Sequence, residues 1–244
     1  MSIDLYIIRI KKAGRILRSP RLLLAFFRYG VFAGVEHYSV LKPGFKTIVD
    51  IGANKGQFAL ACRERIPHAR IISFEPLKAP AKKFKTLFRN DASVCLKEVA
   101  IGPKTIRSVM HVSAHEDSSS LLPIGPNQIE FYPGTQEKNI IEVDVAPLTS
   151  YLMPEDINSP AMLKLDVQGF EMEALKGCEA LIEKFDFIYC ECSFIELYSG
   201  QKLAYEIIEW LHHHKFNLIG IFNSNYDLSG QAIQADFLFK QKFI

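Results

Sequence analysis

The sequence predicts an α/β fold: a mostly parallel sheet with helices on both faces and one antiparallel strand near the C-terminus. Three observations carry this. From Thr47 onward, apolar runs of strand length alternate with runs of helical period, the pattern of βαβ units. The first strand, "TIVDI", passes directly into a glycine-bearing turn and a helix. The last two strands are joined by "NSNYDLSG", whose Asn, Ser, Asp and Gly suit a short turn between antiparallel partners.

Taken in order, "TIVDI" leads to the helix "GQFALACRERI", and "RIISFE" to the helix "APAKKFKTLFRN", stopped by Asn90 and Asp91. "SVCLKEVAIG" reads as a third strand and "TIRSVMHV" as an extended detour from it. Between Ser113 and Asn139, "HEDSSS", "GPNQ" and "YPGTQ" show no long apolar period, which predicts a mobile loop or small excursion near the site. "IIEVDVA" is a further strand, followed by the short helix "PLTSYL". The second half resumes with the strand "AMLKLDV" and the helix "GFEMEALKG", with Gly177 as its stop. "FDFIYCEC", the helix "QKLAYEIIEWLHHHK", and the strands "FNLIGIF" and "AIQADFLFK" complete the pattern.

The chain has 244 residues, 48% hydrophobic and 23% charged, enough for one substantial core. We divide it into a basic, apolar helical extension over 1–42 and a main domain over 43–244, with Pro43 and Gly44 turning the chain where strand periodicity begins. A net charge of +2 gives no reason to expect a nucleic-acid partner. No apolar run is long enough to span a bilayer, and "MSIDLYII" puts an acid where a secretion signal needs basic residues, so the expected location is cytoplasmic. Cys62, Cys95 and Cys178 read as core hydrophobes, and Cys190 and Cys192 as same-face packing residues of one strand; this fits a reducing compartment. Between Arg9 and Arg28 there are basic residues and no acid, with Pro20 dividing two short helices. The segment reads as a packed cover, as an amphipathic surface over residues 1–30 that touches the inner face of an anionic membrane, or as a lid for an anionic substrate.

The glycine turn, "VDIGANKGQFAL", carries the chemistry. In open α/β sheets, ligands sit beyond the C-terminal strand ends, where Gly52 permits a tight turn and Gly56 a close helix start. The spacing G-A-N-K-G departs from the G-x-G-x-x-G of dinucleotide sites, which argues against an NAD-linked oxidoreductase. Asp50 at the strand end repels phosphate and attracts a cationic amine or sulfonium, while Glu75, ending "IISFE", suits a ribose diol. S-adenosyl-L-methionine has that shape and charge.

With "ISFEP", "SSSLL", "LKLDVQGFEMEALKG" and "ECSFIELYSG" added to that turn, the chain resembles the FkbM family of S-adenosylmethionine-dependent methyltransferases from about Thr47 to the C-terminal strands. The resemblance implies a Rossmann-like, seven-stranded class I methyltransferase sheet. It also implies methyl transfer to a hydroxyl of a sugar, glycan, lipid-linked glycan or natural product. On this likeness Asp50, Gly52, Asn54 and Gly56 hold the methionine end and Glu75 the ribose. Glu98, with Val99 and Ala100, lies near the adenine, and Ser119 and Ser120 close over the cofactor.

By the period of two, Lys164 and Asp166 share one side of the fourth strand, with Asp166 at its end. A carboxylate there can take or hold the proton that an alcohol loses as it attacks a methyl group. Glu191, ending the next strand, is placed to join it, and the two acids are alternatively Mg²⁺ ligands, without a third assignable one. Equally, Asp166 would cap the following helix, and Lys164 would pair with a carboxylate as a structural residue. His212, His213 and His214 end a helix and read as structural; His111 and His115 are better base candidates. A non-catalytic membrane-peripheral binding protein, using the α/β domain as scaffold, is the alternative to an enzyme.

Overall fold

A computed structural model describes residues 19–242. Its centre is a seven-stranded sheet in the order β3-β2-β1-β7-β8-β10-β9. The strands are β1 (Thr47–Ile51), β2 (Arg70–Phe74), β3 (Val94–Lys97), β7 (Ala161–Leu165), β8 (Phe187–Ser193), β9 (Phe216–Tyr226) and β10 (Ala232–Gln241). The first five pair in parallel, whereas β10 runs antiparallel to both β8 and β9. The expected sheet is therefore present, with its single antiparallel strand.

β1 and β7 are buried on both faces, as central strands rich in Ile, Val and Leu should be. One face carries Val49, Ile51, Leu163, Leu165, Ile188 and Phe237 into a core closed by α5 (Glu171–Cys178) and α6 (Ala204–His213). The other carries Ile48, Ile71, Met162 and Tyr189 under α2 (Gln57–Arg65), which supplies Phe58, Ala59, Leu60 and Cys62, with Phe84 from α3 (Lys78–Leu87). Cys190 and Cys192 lie together in the first core, as packing residues.

The N-terminal elements join the second core. Ser19 caps α1 (Pro20–Tyr29) by accepting the Leu22 N–H at 3.3 Å, and Gly30 ends the helix at φ 64°. Leu22 and Ala25 face inward, and the chain beyond buries Val31, Val35, Val40 and Leu41. The first of the two expected N-terminal helices lies outside the described residues.

Two elements differ from expectation. "SVCLKEVAIG" is broken at Glu98–Val99: β3 stays in the main sheet, while β4 (Ala100–Ile101) joins β5 (Ile106–Ser113) and β6 (Glu137–Ala146) in a small sheet ordered β4-β6-β5. The 113–139 stretch between β5 and β6 is folded, with a 3-10 turn at Glu116–Ser118, α4 (Pro126–Phe131) and a bridge between His111 and Ser120. Gly177 does not stop α5 but lies within it, because a Cβ there would meet the Gly102 backbone at 2.6 Å.

Candidate active site

Polar side chains form a ladder across one sheet face, at the C-terminal half of its parallel strands. Register places Ser73 of β2 beside Asp50 of β1, Asp50 beside Lys164 of β7, and Lys164 beside Tyr189 of β8. Lys164 Nζ lies 3.2 Å from Asp50 and 3.4 Å from Asp166, and donates to the Gly52 carbonyl at 3.1 Å. The Phe58 ring covers the ammonium at 5.5 Å. Burial alone would strip the charge from Lys164; Asp166 and Asp50 outweigh it and hold the amine protonated.

Asp50 is fully buried, not open to the crevice as expected. Burial raises its pKa against the pull of Lys164. It meets the cavity only through that lysine, so its local role is to fix Lys164. Burial also presses on Asp166, but Lys164 and a hydrogen bond from Gln168 hold this carboxyl below its ordinary range.

The cavity itself measures about 280 Å³. At one end Glu75, 5% exposed, accepts the Asn54 N–H at 2.9 Å and the Leu77 N–H at 2.8 Å. Burial outweighs those bonds and pushes its carboxyl up to about 7. Phe74, Leu77, Val99, Ile101 and Met110 make apolar walls beside it. Gly52 lines the floor at φ 79°, and a Cβ there would fall 1.8 Å from the Asp166 carbonyl oxygen. That approach admits only glycine. Asn54 lines the cavity too, while Gly56 stands behind it as the left-handed start of α2, tight against Phe84 and Phe88.

A segment from the folded excursion covers the opening. Asn54 Nδ2 and Lys55 Nζ both donate to Asp117, at 3.2 and 3.1 Å. Glu116, Asp117, Ser119 and Leu121 line the cavity from this side. Ser119 also accepts the Ser113 N–H, and Ser120 lies fully buried behind it, accepting the Leu122 N–H.

Other predicted residues fall elsewhere. Glu98 is exposed and paired with Lys85 of α3, because the chain turns at Glu98–Val99 and sends only Val99 and Ala100 inward. Glu191 lies on the ladder side but off the cavity lining, accepting Gln168 Nε2 and Gln234 Nε2 at 2.9 Å each. Burial, with Asp166 and Asp236 nearby, raises its pKa well above the ordinary value. His111 pairs with Glu137 and His115 packs on the excursion, so neither reaches the cavity; His213 and His214 bond back to carbonyls of α6. Asp166 does not cap α5: the N-cap is Phe170, with no side-chain cap, and Glu171 in the first turn instead accepts the N–H groups of Val167 and Gly169 in the preceding loop.

Sequence reasoning missed Gln168, although "KLDVQG" contains it. At φ 56° its amide donates to both Asp166 and Glu191 at 2.9 Å and accepts the Tyr198 hydroxyl at 2.8 Å. This amide bridges the two acids, and no group of three or more His, Cys, Asp or Glu is placed to hold a metal among the described residues. His37 was also missed; it lines the cavity opposite Glu75. Only a fold that returns the N-terminal segment to the C-terminal hairpin reveals it.

The family described as Methyltransferase FkbM domain matches residues 50–218. The chain is 28% identical over 220 residues to 2-O-methyltransferase NoeI of Sinorhizobium fredii, covering 88% of this chain and 87% of that protein. It is 28% identical over 155 residues to Methyltransferase 1 of Beauveria bassiana, covering 56% and 60%. It is 24% identical over 208 residues to 31-O-demethyl-FK506 methyltransferase FkbM of Streptomyces tacrolimicus, covering 76% and 77%.

Proposed function

The chain belongs to the FkbM family of S-adenosylmethionine-dependent methyltransferases, and from that premise we propose that it methylates a hydroxyl oxygen of a sugar, glycan, lipid-linked glycan or natural product. The observation that carries the reading is one cavity with a buried carboxylate at its apolar end and a charged ladder at the other. The names of two relatives, a 2-O-methyltransferase and a 31-O-demethyl-FK506 methyltransferase, support an oxygen acceptor.

The donor set fits the cofactor. Each Glu75 oxygen takes one backbone N–H, leaving lone pairs for the two hydroxyls of a ribose. Phe74, Leu77, Val99, Ile101 and Met110 suit the faces of an adenine. Gly52 and Asn54 form the close floor for the methionine end, where Asp50 and Asp166 outnumber Lys164 and so favour positive charge. Gly56 acts by starting α2, and Ser119 and Ser120 by shaping the covering segment. When bound, the cofactor supplies a methyl group on a sulfonium.

The chain's own residues hold the acceptor. Asp166 stays ionised and accepts a hydrogen bond from an acceptor hydroxyl next to the one that reacts, Lys164 sets the position of that carboxylate, and Glu191 fixes Gln168 beside it. Calorimetry with S-adenosylmethionine, S-adenosylhomocysteine and NAD tests the reading. Binding of the first two and not NAD agrees with it; NAD binding alone would sink it.

We also propose that residues 1–30 contact an anionic membrane. On α1, Leu24 and Phe27 are 55% and 78% exposed, with Arg28 beside them and exposed Phe32 just beyond. No helix is long and apolar enough to cross a membrane among the described residues.

A further inference from the structure

A hydroxyl that is methylated must lose a proton, and neither acid of the fourth and fifth strands is well suited to keep it. Asp166 is held ionised by Lys164 and Gln168, and Glu191 does not line the cavity. The cavity wall carries an imidazole instead. His37 lies on the 3-10 turn Val35–Ser39, its ring held edge-on by Phe58 at 5.4 Å and Tyr189 at 5.6 Å.

The hydrogen bonds around it fix which nitrogen is bare. The Tyr189 hydroxyl donates its one proton to Asp236 Oδ2 at 2.8 Å, and Asn223 Nδ2 donates to the same oxygen at 2.7 Å. With that proton directed at Asp236 the Tyr189 oxygen only accepts, from Asn223 Nδ2 at 3.3 Å and from His37, whose Nδ1 is 3.0 Å away; Asn223 Nδ2 lies 3.5 Å from Nδ1 but is committed to the shorter bonds to Asp236 and Tyr189. In the neutral ring Nδ1 then carries the hydrogen and Nε2 the lone pair. No described residue hydrogen-bonds Nε2, and the ring lines the same cavity as Asp166 and Lys164.

We propose that His37 Nε2 is the base that receives the acceptor's hydroxyl proton, with Tyr189 and Asp236 as the positioning residues behind it; this rests on the hydroxyl reading above. As the acceptor oxygen bonds to the methyl carbon, the carbon–sulfur bond breaks and its electron pair stays on sulfur. The O–H proton passes to Nε2. The resulting imidazolium has the Asp236 carboxylate 3.5 Å from Nδ1, so the new charge is met by a buried opposite one. Burial raises the Asp236 carboxyl, against the pull of His37, Asn223 and Tyr189. The groups that bear on His37 are Asp236 from β10, Tyr189 from β8, Asp166 and Lys164 from β7, and Glu36 in its own turn.

Two measurements test this. In protein labelled with ¹⁵N-histidine and loaded with S-adenosylhomocysteine, the resonance lost in His37→Gln should show a neutral ring protonated at Nδ1. Protonation at Nε2 overturns the proposal. Turnover is then followed with ¹³C-methyl S-adenosylmethionine on a panel of methyl glycosides and their amino-sugar counterparts. His37→Gln should lose about 10²–10⁴-fold in kcat while keeping its affinity for S-adenosylhomocysteine. It should also lose the acidic limb of the pH profile. Asp236→Asn, which keeps the hydrogen-bonding shape, should move that limb to lower pH because the imidazolium loses its counter-charge. Wild-type turnover and pH profile in His37→Gln overturn the proposal. Methylation of the amino sugars alone by the wild-type protein defeats the hydroxyl reading instead, while the nitrogen spectrum still decides the tautomer.

Discussion

Glu75 should make cofactor binding depend on pH. Its carboxyl is 5% exposed, and burial pushes it up to about 7 despite the N–H groups of Leu77 and Asn54. A ribose diol donates two O–H groups, which favours the carboxylate over the acid. Binding below pH 7 therefore expels a proton, and affinity rises with pH. If the bound carboxylate is fully ionised, Kd follows the free protein's ionised fraction, so binding at pH 8 should be about tenfold tighter than at pH 6. Calorimetry of S-adenosylhomocysteine in two buffers of different ionisation enthalpy reads both the affinity and the proton released. Glu75→Gln should flatten the dependence and, with 1.5–3 kcal/mol lost from a charged hydrogen bond, weaken binding at pH 8 by about 10–100-fold. Affinity independent of pH, with no proton released, would refute the reasoning.

The same shift acts on folding with a definite sign. Between the ordinary 4.5 and about 7 the folded chain holds a proton that the unfolded chain has lost. Without ligand, the stability contributed by this group is present at low pH and falls as pH rises through that window. Glu171, also pushed to about 7 by burial, adds to the effect.

Further outcomes follow from other contacts. Asp166→Asn should leave the affinity for S-adenosylhomocysteine, which lacks the sulfonium charge, nearly unchanged and lower kcat by about 10–10²-fold, the worth of one charged hydrogen bond; unchanged turnover on the true acceptor would remove Asp166 from the mechanism. Gly52→Ala puts a methyl 1.8 Å from the Asp166 carbonyl at φ 79°, so it should cost upwards of about 3 kcal/mol in urea unfolding; a midpoint equal to wild type would contradict that packing. Vesicles rich in anionic lipid should sediment the protein at low salt and release it as ionic strength rises, and Phe27→Glu should weaken that sedimentation. Sedimentation unaffected by salt and by Phe27→Glu would argue against the membrane surface.

Much of the fold was legible because the strands are local, apolar and punctuated by turns. "TIVDI", "AMLKLDV" and the C-terminal pair occupy their expected places in the sheet. The split of "SVCLKEVAIG" was not legible, since its apolar character continues while its hydrogen-bonding partner changes from β2 to β6. Gly177 looked like a helix stop, and its real reason, contact with Gly102, is seventy-odd residues away in sequence. The site divides in the same way. Strand ends and the glycine turn gave Glu75, Gly52, Lys164 and Asp166 by position, the family resemblance added Asn54, and all five line the cavity. Asp50 shares that strand end but is sealed under Phe58 and Lys164, a packing fact no strand pattern carries. His37 was hidden because Tyr189 and Asp236 come from elements far along the chain.

Methyl transfer to oxygen is tested most directly by the atom that receives the labelled methyl group. The protein is incubated with ¹³C-methyl S-adenosylmethionine and a pooled set of sugar, glycan and polyketide alcohols alongside matching amines. The products are read by carbon NMR. A labelled methyl is expected among ether carbons, formed by the wild-type protein and diminished in Asp166→Asn. A label found only on amine nitrogens would contradict it.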